Sequence, residues 1–403
     1  MKKETIIAVQ VETNRAHGRS MIEGIADYAL LNTDWRLESI DLKSLANSAN
    51  TKRFSGFIVR VMDDTTAKEL IKTKKPAIDT YGKNDVGKIP FIRLDDVAIA
   101  ECAAKFFREH KFTDYAFCGF PGLRFSEARG KAFKKAVAGF GMSCIMYDGG
   151  GGPLKETSVR NERMDVCSDC AALRKWAKSL PKPISVFCCN DMRAFHFLKA
   201  CNEAKIKVPQ EVSVLGVDND KVLCTFSNPP LSSIDTNSFA LGQNAAKALD
   251  LMLSNTSCLA PMATLHKPAG VIERTSTDFY PTQTPWLSDA LVYIRRHIGD
   301  GISANDVIAH LGYSHTTVGK VFRRELGLSV QQEIIRYRRE SACRLLKDTS
   351  LTAAEIADRC GYPSPQYFAH MFAAHFGTTP EKWRRSRLRS SHRKPHRRQA
   401  DAL

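Results

Sequence analysis

One stretch of this chain says nearly the same thing twice. Residues 307–327 read VIAHLGYSHTTVGKVFRRELG, and residues 356–377 read IADRCGYPSPQYFAHMFAAHFG. Gly312-Tyr313 aligns with Gly361-Tyr362, Ser314 with Ser364, Val318 with Phe368, Phe322 with Phe372 and Gly327 with Gly377. The offset is 49 residues before the turn and 50 after it, because Pro363 is inserted. Each copy predicts a short helix, a Gly-containing turn and a second helix with one apolar and one polar face. That is the pattern of a helix-turn-helix, whose second helix is shaped to enter a DNA major groove. Such a duplication confines the last quarter of the chain to an all-helical, DNA-reading unit. The preceding 280 residues then read as whatever controls it.

Charge agrees. The 403 residues carry a net +16. Residues 285–403 hold 20 Lys/Arg against 11 Asp/Glu, and the first 284 hold 39 against 32. The excess is denser at the C-terminal end, as phosphate binding requires, although solubility alone would also be served by it. Twelve cysteines, no N-terminal signal pattern and no apolar run of about 20 residues lead us to expect a cytoplasmic chain with reduced thiols and no membrane partner. Cys167 and Cys170 form a CxxC, but with no second pair at zinc spacing they read as structural thiols.

The first 280 residues alternate short β-branched apolar runs with helical periodicity, beginning with Thr5–Val11 and then Met21, Ile22, Ile25, Ala26, Ala29 and Leu30. Strands are expected at 35–41, 56–61, 76–81, 91–94, 114–119, 143–148, 184–189 and 212–217. Helices are expected at 65–74, 98–110, 127–140, 164–179, 192–204 and 239–253. This alternation implies α/β layers with mostly parallel sheets. Ligands of such sheets sit outside the carboxyl ends of the strands. The residues found there are Thr13-Asn14-Arg15, then Arg124, Ser126 and Arg129, then Asn190-Asp191, then Asp218-Asn219-Asp220. Asp, Asn and Arg converging on one cleft suit a polyhydroxylated ligand, because a carboxylate accepts from neighbouring hydroxyls while Arg and Asn donate. Polar loop ends also cap helices, and any one of these residues fits that role equally well; the set as a whole favours a ligand.

No catalytic or cofactor motif is present: neither GxGxxG after the first strand, nor GxxxxGK[ST], nor GxSxG. Gly149–Pro153 reads as a flexible loop. Asp63-Asp64 and Asp95-Asp96 stand where helices begin and read as caps. We therefore expect no enzyme, no cofactor and no metal. A carbohydrate-modifying domain fused to a DNA anchor, and a sensor of some other small metabolite, stay open as alternatives.

Specific segments carry a family resemblance. Val212–Asn219, Val186–Asp191 and Arg129–Phe133, the last with Ala132 in place of a usual Gly, resemble the two-lobed, periplasmic-binding-protein-like sensor domain of the LacI/GalR regulators, over residues 1–277. Val271–Thr277 resembles the close of that domain. The resemblance implies that Arg129, Asn190, Asp191 and Asp218 bind an effector, and from their places at the strand ends Asn14, Arg15 and Asn219 are expected to join them. That family's N-terminal DNA-binding domain is not expected, since Met1 lies a few residues before the first strand.

Residues 278–285 read DFYPTQTP, a boundary signal, and we expect a linker over 278–286. The DNA-binding domain is expected over 287–386. In it Ser303 N-caps a helix over 304–311 with Asp306 at its third position, and a long helix over 330–346 joins the two motifs. In the first recognition helix His315, Thr316, Lys320 and Arg323 should face outward. Lys320 can reach guanine and Thr316 a thymine methyl, whereas Gly319 offers no contact. In the second, Ser364 caps, Gln366 could read adenine and His370 a base or a phosphate. Ile356-Ala357, Gly361-Tyr362, Tyr367-Phe368, Gly377–Pro380 and Trp383-Arg384 make this end similar to the AraC/XylS family, although Ile308 stands where that family usually has Ala. Residues 387–403 are expected to form a basic, disordered tail. A LacI-like sensor followed by an AraC-like end is the order of the xylose-operon regulators. That resemblance implies an α/β two-lobed domain followed by an all-α domain. It also implies an activator that binds a double-stranded DNA operator as a homodimer, responds to xylose or another pentose, and engages RNA polymerase.

Overall fold

The computed structural model describes residues 4–41, 51–82, 89–150, 163–254 and 262–390. The chain divides into two units, Met1–Asp278 and Phe279–Leu403. Gly151-Gly152-Pro153 and most of the basic tail, from 391 on, lie outside the described residues.

The first unit is built on two six-stranded sheets. One contains β1 (Thr5–Gln10), β2 (Trp35–Ser39), β3 (Gly56–Val59), β4 (Ala77–Asp79), β5 (Phe91–Leu94) and β11 (Ala263–His266), in the order β11-β5-β4-β3-β1-β2. All its pairings are parallel. The other contains β6 (Tyr115–Cys118), β7 (Cys144–Met146), β8 (Ile184–Cys188), β9 (Val212–Val217), β10 (Ser232–Asp235) and β12 (Gly270–Ile272), in the order β12-β10-β9-β8-β6-β7. Only β12 runs antiparallel. The central strands β3, β6, β8 and β9 are buried at every residue. This is why they read as continuous apolar runs: helices cover both faces of a parallel sheet.

The helices are α1 (Ala16–Asn32), α2 (Asp64–Lys72), α3 (Asp96–Glu109), α4 (Arg124–Ala138), α5 (Cys170–Ser179), α6 (Asp191–Glu203), α7 (Lys221–Phe226) and α8 (Ser238–Leu253). α1 packs along α8, and α3 along α4. The first pair approaches closely. A Cβ on Gly24 would lie 2.0 Å from the Phe239 carbonyl oxygen, and one on Gly242 2.1 Å from that of Met21. The chain passes between the sheets three times: after β5, after β10 and between β11 and β12. Two lobes result, each closed by returning chain.

Strands β10, β11 and β12 and helix α7 are additions to the expected elements. β10 reads Ser-Ser-Ile-Asp and hides its polarity by pairing it. Ser232 Oγ donates to the Arg274 carbonyl (2.9 Å) and Ser233 Oγ to Asp191 (2.6 Å). The helix expected from 164 begins only at Cys170, because Arg163 and Val166 form an isolated bridge and Asp169 is engaged elsewhere.

The second unit is helical: α9 (Pro285–Arg296), a 3₁₀ turn (Ile298–Asp300), α10 (Ala304–Leu311), α11 (His315–Leu326), α12 (Val330–Asp348), α13 (Ala353–Arg359), α14 (Pro365–Phe376) and α15 (Pro380–Ser390). It has two cores. Leu287, Ile294, Val307, Val318, Phe322 and Ile334 form one, which also takes in Ile308. Leu346, Ile356, Ala357, Phe368 and Phe372 form the other. The Ser303–Asp306 capping box is present, and Ser329–Gln332 and Thr352–Glu355 repeat it. The stretch expected as a linker is folded onto this unit. Tyr280 is buried and its N–H donates to Ser288 Oγ (2.9 Å). The Gln283 N–H (3.0 Å) and the Thr284 hydroxyl (2.5 Å) donate to Glu325. Helix α9 accordingly starts at Pro285, whose fixed φ suits a first helical position.

Candidate functional site

A cavity of about 380 Å³ opens between the two lobes of the first unit, within the range of small-molecule sites. It lies outside the carboxyl ends of both sheets, where the strand order reverses. β1 delivers Glu12, Asn14 and Arg15 to it, β3 Arg60 and Met62, β4 Thr80 and Tyr81, and β5 Arg93 and Asp96. From the other sheet come Arg124, Phe125 and Arg129 after β6, Asn190 after β8 and Asp218 after β9.

Five of the seven expected effector residues meet here: Asn14, Arg15, Arg129, Asn190 and Asp218. Arg129 is 4% exposed. Its Nε donates to Asp96 Oδ1 (2.9 Å) and its Nη1 to the Cys189 carbonyl (2.5 Å). Burial opposes its charge, but Asp96 and Asp218 outweigh this and hold its pKa above the ordinary value. Asn190 does two jobs. Its Oδ1 accepts from the Arg193 N–H (2.9 Å) and caps α6, while the residue still lines the cavity. Asp218 takes φ +105°, a conformation that residues with side chains rarely adopt and that clusters at functional sites. Burial raises its carboxyl to about 6 against the pull of Arg129 and Arg15.

Asp191 and Asn219 do not line the cavity, which corrects the expectation for both. Asp191 points into its lobe. Its Oδ2 accepts from the Asp220 N–H (2.7 Å) and its Oδ1 from the Ser233 hydroxyl (2.6 Å). Burial, then the charge of Asp218, pushes its pKa well up. Asn219 accepts from Arg274 Nη2 (2.8 Å) and donates to Asp235 (3.3 Å). Both brace the loop that carries Asp218. Of the paired carboxylates, Asp63 and Asp95 do cap helices, but Asp96 pairs with Arg129. Sequence reasoning also passed over Arg60, Tyr81, Arg93 and His17. The first three stand in or just after β3, β4 and β5, so the rule of inspecting strand ends, applied to every strand, would have found them. His17 shares a hydrogen bond with the Ser238 hydroxyl (2.6 Å). Burial first, then Arg60 and Arg129, lowers its pKa to about 3, so its ring is neutral.

In the second unit the two turn-flanking helices present the expected faces. Ser314 Oγ accepts from the Thr317 N–H (3.2 Å) and Ser364 Oγ from the Tyr367 N–H (3.1 Å), so both cap their helices. On α11, Val318, Val321 and Phe322 are buried, and His315, Thr316, Lys320 and Arg323 are exposed. On α14, Phe368 and Phe372 are buried, and Gln366 and His370 are exposed. Tyr313 and Tyr367 are exposed aromatics beside these faces. Arg324 is not available in the same way, because it pairs with Glu325 (2.7 Å). The thiol of Cys167 is pushed up by burial and by Cys170, the opposite of a reactive CxxC. Among the described residues no group of three or more His, Cys, Asp or Glu gathers as a metal site requires, and no helix is long and apolar enough to cross a membrane.

Comparison with known proteins places both units. Residues 104–277 match the periplasmic binding protein-like domain, and residues 307–386 a helix-turn-helix domain. The xylose operon regulatory protein of Escherichia coli is 28% identical over 387 residues, 94% of this chain and 96% of that protein. The HTH-type transcriptional activator AarP of Providencia stuartii is 32% identical over 104 residues, 26% of this chain and 77% of that protein. The solved structure of the xylose-binding transcription activator XylR is 27% identical, with a TM-score of 0.59, covering 96% of this chain and 99% of that one. With its two-lobed cavity and its duplicated helix-turn-helix, the chain belongs to the transcription regulators that join a periplasmic-binding-protein-like domain to an AraC-type DNA-binding domain, as the xylose operon regulators do.

Proposed function

We propose that this chain is a transcription activator whose operator binding is controlled by a sugar held between the lobes of its first unit. Xylose or another pentose is the first candidate, from the names of its relatives. Asn14, Arg15, Arg129, Asn190 and Asp218 hold the sugar. Asp218 accepts from adjacent hydroxyls, and Arg129 and Asn190 donate to hydroxyl or ring oxygens. The observation that carries this is the convergence of Asp218, Asn190 and Arg129 on one cavity, in a chain that also bears two helix-turn-helix motifs. The sugar acts by binding one arrangement of the lobes better than another. His315, Thr316, Lys320, Arg323, Gln366 and His370 face the DNA, with Ser314 and Ser364 fixing the helix starts. The protein works in the cytoplasm as a homodimer, contacts RNA polymerase and performs no catalysis.

Calorimetric titration of the full chain with pentoses, hexoses and nucleosides tests the sensor. Turnover of any bound sugar would refute the non-catalytic reading. Operator binding tests the other end. Lys320→Ala should weaken binding to operator DNA and flatten the plot of log affinity against log salt by about 0.9 if the ammonium contacts a phosphate. A variant that binds operator and random DNA as the parent does would remove α11 from the interface.

A further inference from the structure

The charge inside the cavity does not suit a neutral sugar alone. Five arginines line it, Arg15, Arg60, Arg93, Arg124 and Arg129, against three carboxylates, Glu12, Asp96 and Asp218. Two of the arginines are matched by direct pairs: Arg60 with Glu12 (2.8 Å) and Arg129 with Asp96 (2.9 Å). Asp218 faces Arg129 and Arg15. Arg93 and Arg124 have no carboxylate partner among the described residues, and the buried Nε of Arg93 has no hydrogen-bond partner at all. Burial first, then repulsion from Arg124, lowers the pKa of Arg93, against the opposing pull of Asp96, Asp79 and Asp95 at longer range.

The nearby acids are held in other contacts and none forms an ion pair with either arginine among the described residues. Asp95 is engaged as the cap of α3, accepting from the Ala98 N–H (2.9 Å). Asp79 accepts from the N–H groups of Val61 (3.1 Å), Tyr81 (2.8 Å) and Gly82 (2.9 Å). Burial raises the pKa of Asp79, against those three hydrogen bonds and the pull of Arg124. Around this corner Arg60 and Arg124 stand over the Tyr81 ring at 4.7 and 5.7 Å, and Arg93 over Phe91 at 5.4 Å. Ring stacking orients a guanidinium while leaving its N–H edge free to donate. Helix α4, which begins at Arg124, has no side-chain cap, so its positive end adds to the same field.

Leaving like charges crowded and unpaired in a half-buried site is costly unless something negative completes it. We propose that the effector is an anionic sugar derivative, with a polyol frame at Asn190, Asp218 and Arg129 and a phosphate ester or carboxylate at Arg93 and Arg124. The proposal rests on the sugar-sensing reading and narrows its ligand class. Guanidinium donors in a planar fork are matched to both anion types, and two of them can grip one anion.

The test is calorimetry on the full chain with D-xylose, ribose 5-phosphate, xylulose 5-phosphate, D-xylonate and inorganic phosphate. At least one anionic sugar should bind ten times or more tighter than D-xylose. The two sugar phosphates and xylonate tell a phosphate ester from a carboxylate, and inorganic phosphate should bind weakly. Arg124→Gln should cost the preferred anion tenfold or more, a clearly larger factor than it costs D-xylose, and Arg124→Lys should restore part of the loss. If D-xylose binds as tightly as every anion, or Arg124→Gln leaves anion binding unchanged, the anionic assignment falls and the sugar sensor stands. If none of the sugars binds, the sensor reading itself falls.

Discussion

Gly312 and Gly361 occupy equivalent places in the two helix-turn-helix motifs, yet alanine should affect them very differently. Both are left-handed, at φ +69° and +66°. Forcing a residue with a Cβ into that conformation costs about 1–2 kcal/mol at either site. The surroundings then separate them. A Cβ on Gly312 would meet nothing within 4 Å. A Cβ on Gly361 would lie 2.0 Å from the Ile298 carbonyl oxygen, 2.9 Å from the Gly301 nitrogen and 3.0 Å from its Cα. All three are backbone atoms, so the second turn and the 3₁₀ turn would have to part by about 1 Å, an overpacking cost of about 1–3 kcal/mol. Gly312→Ala should therefore lose about 1–2 kcal/mol and Gly361→Ala about 2–5 kcal/mol. Amide hydrogen exchange on the full chain reads both, as loss of protection in α10–α11 or in α13–α14, and resolves local opening without assuming two-state unfolding. Operator affinity should follow, with Gly361→Ala the weaker binder because the seat of α14 has moved. Equal losses of protection, or a milder Gly361→Ala, would refute the argument that the second turn rests on the 3₁₀ turn of the first core.

Two further predictions concern the first unit. With a ligand whose own charge is constant between pH 5 and 8, affinity should be flat above pH 7 and fall as pH drops through about 6, by about tenfold per unit below that. On the proposed reading the sugar hydroxyls donate to ionised Asp218, and protonation removes that acceptor. The stability contribution of this carboxyl runs the other way. Its folded pKa is raised, so burying the charge is costly above pH 6, and that cost is relieved as pH falls toward the unfolded value. Calorimetry across pH measures the first and melting curves the second; affinity independent of pH would remove Asp218 from the ligand. Arg193, fully buried, pairs with Asp169 at 2.8 and 2.7 Å and stacks against Phe120 and Tyr147. Arg193→Met leaves that carboxylate buried and unpaired and should cost about 3–5 kcal/mol, while adding Asp169→Leu should recover most of it. A double variant as unstable as the single would show that the loss was one of packing.

The alternation of apolar runs with helical periodicity and the duplicated motif are local patterns, and the chain carries them in plain order. Parallel strands covered on both faces must be apolar throughout, and a recognition helix must be apolar on one side only, so both are legible without any tertiary contact. The strand ends rich in Asn, Asp and Arg likewise pointed to a ligand cleft. Which of those residues reach it is a different question. Asn190 and Asp191 are neighbours, yet one lines the cavity and the other turns inward to Ser233 and the Asp220 N–H. Asp218 and Asn219 divide in the same way, and the sense of each division depends on backbone angles and on partners 14 to 55 residues distant. Strand β10 was invisible because its serines are polar in sequence and become core only through bonds to Arg274, Asp191 and Ser276. Above all, Arg60, Arg93 and Arg124 come from the end of one strand, the body of another and the start of a helix, far apart in the chain. Only the approach of the two lobes brings their charges together, because repulsion between like groups depends on distance in space and leaves no periodic trace along the chain.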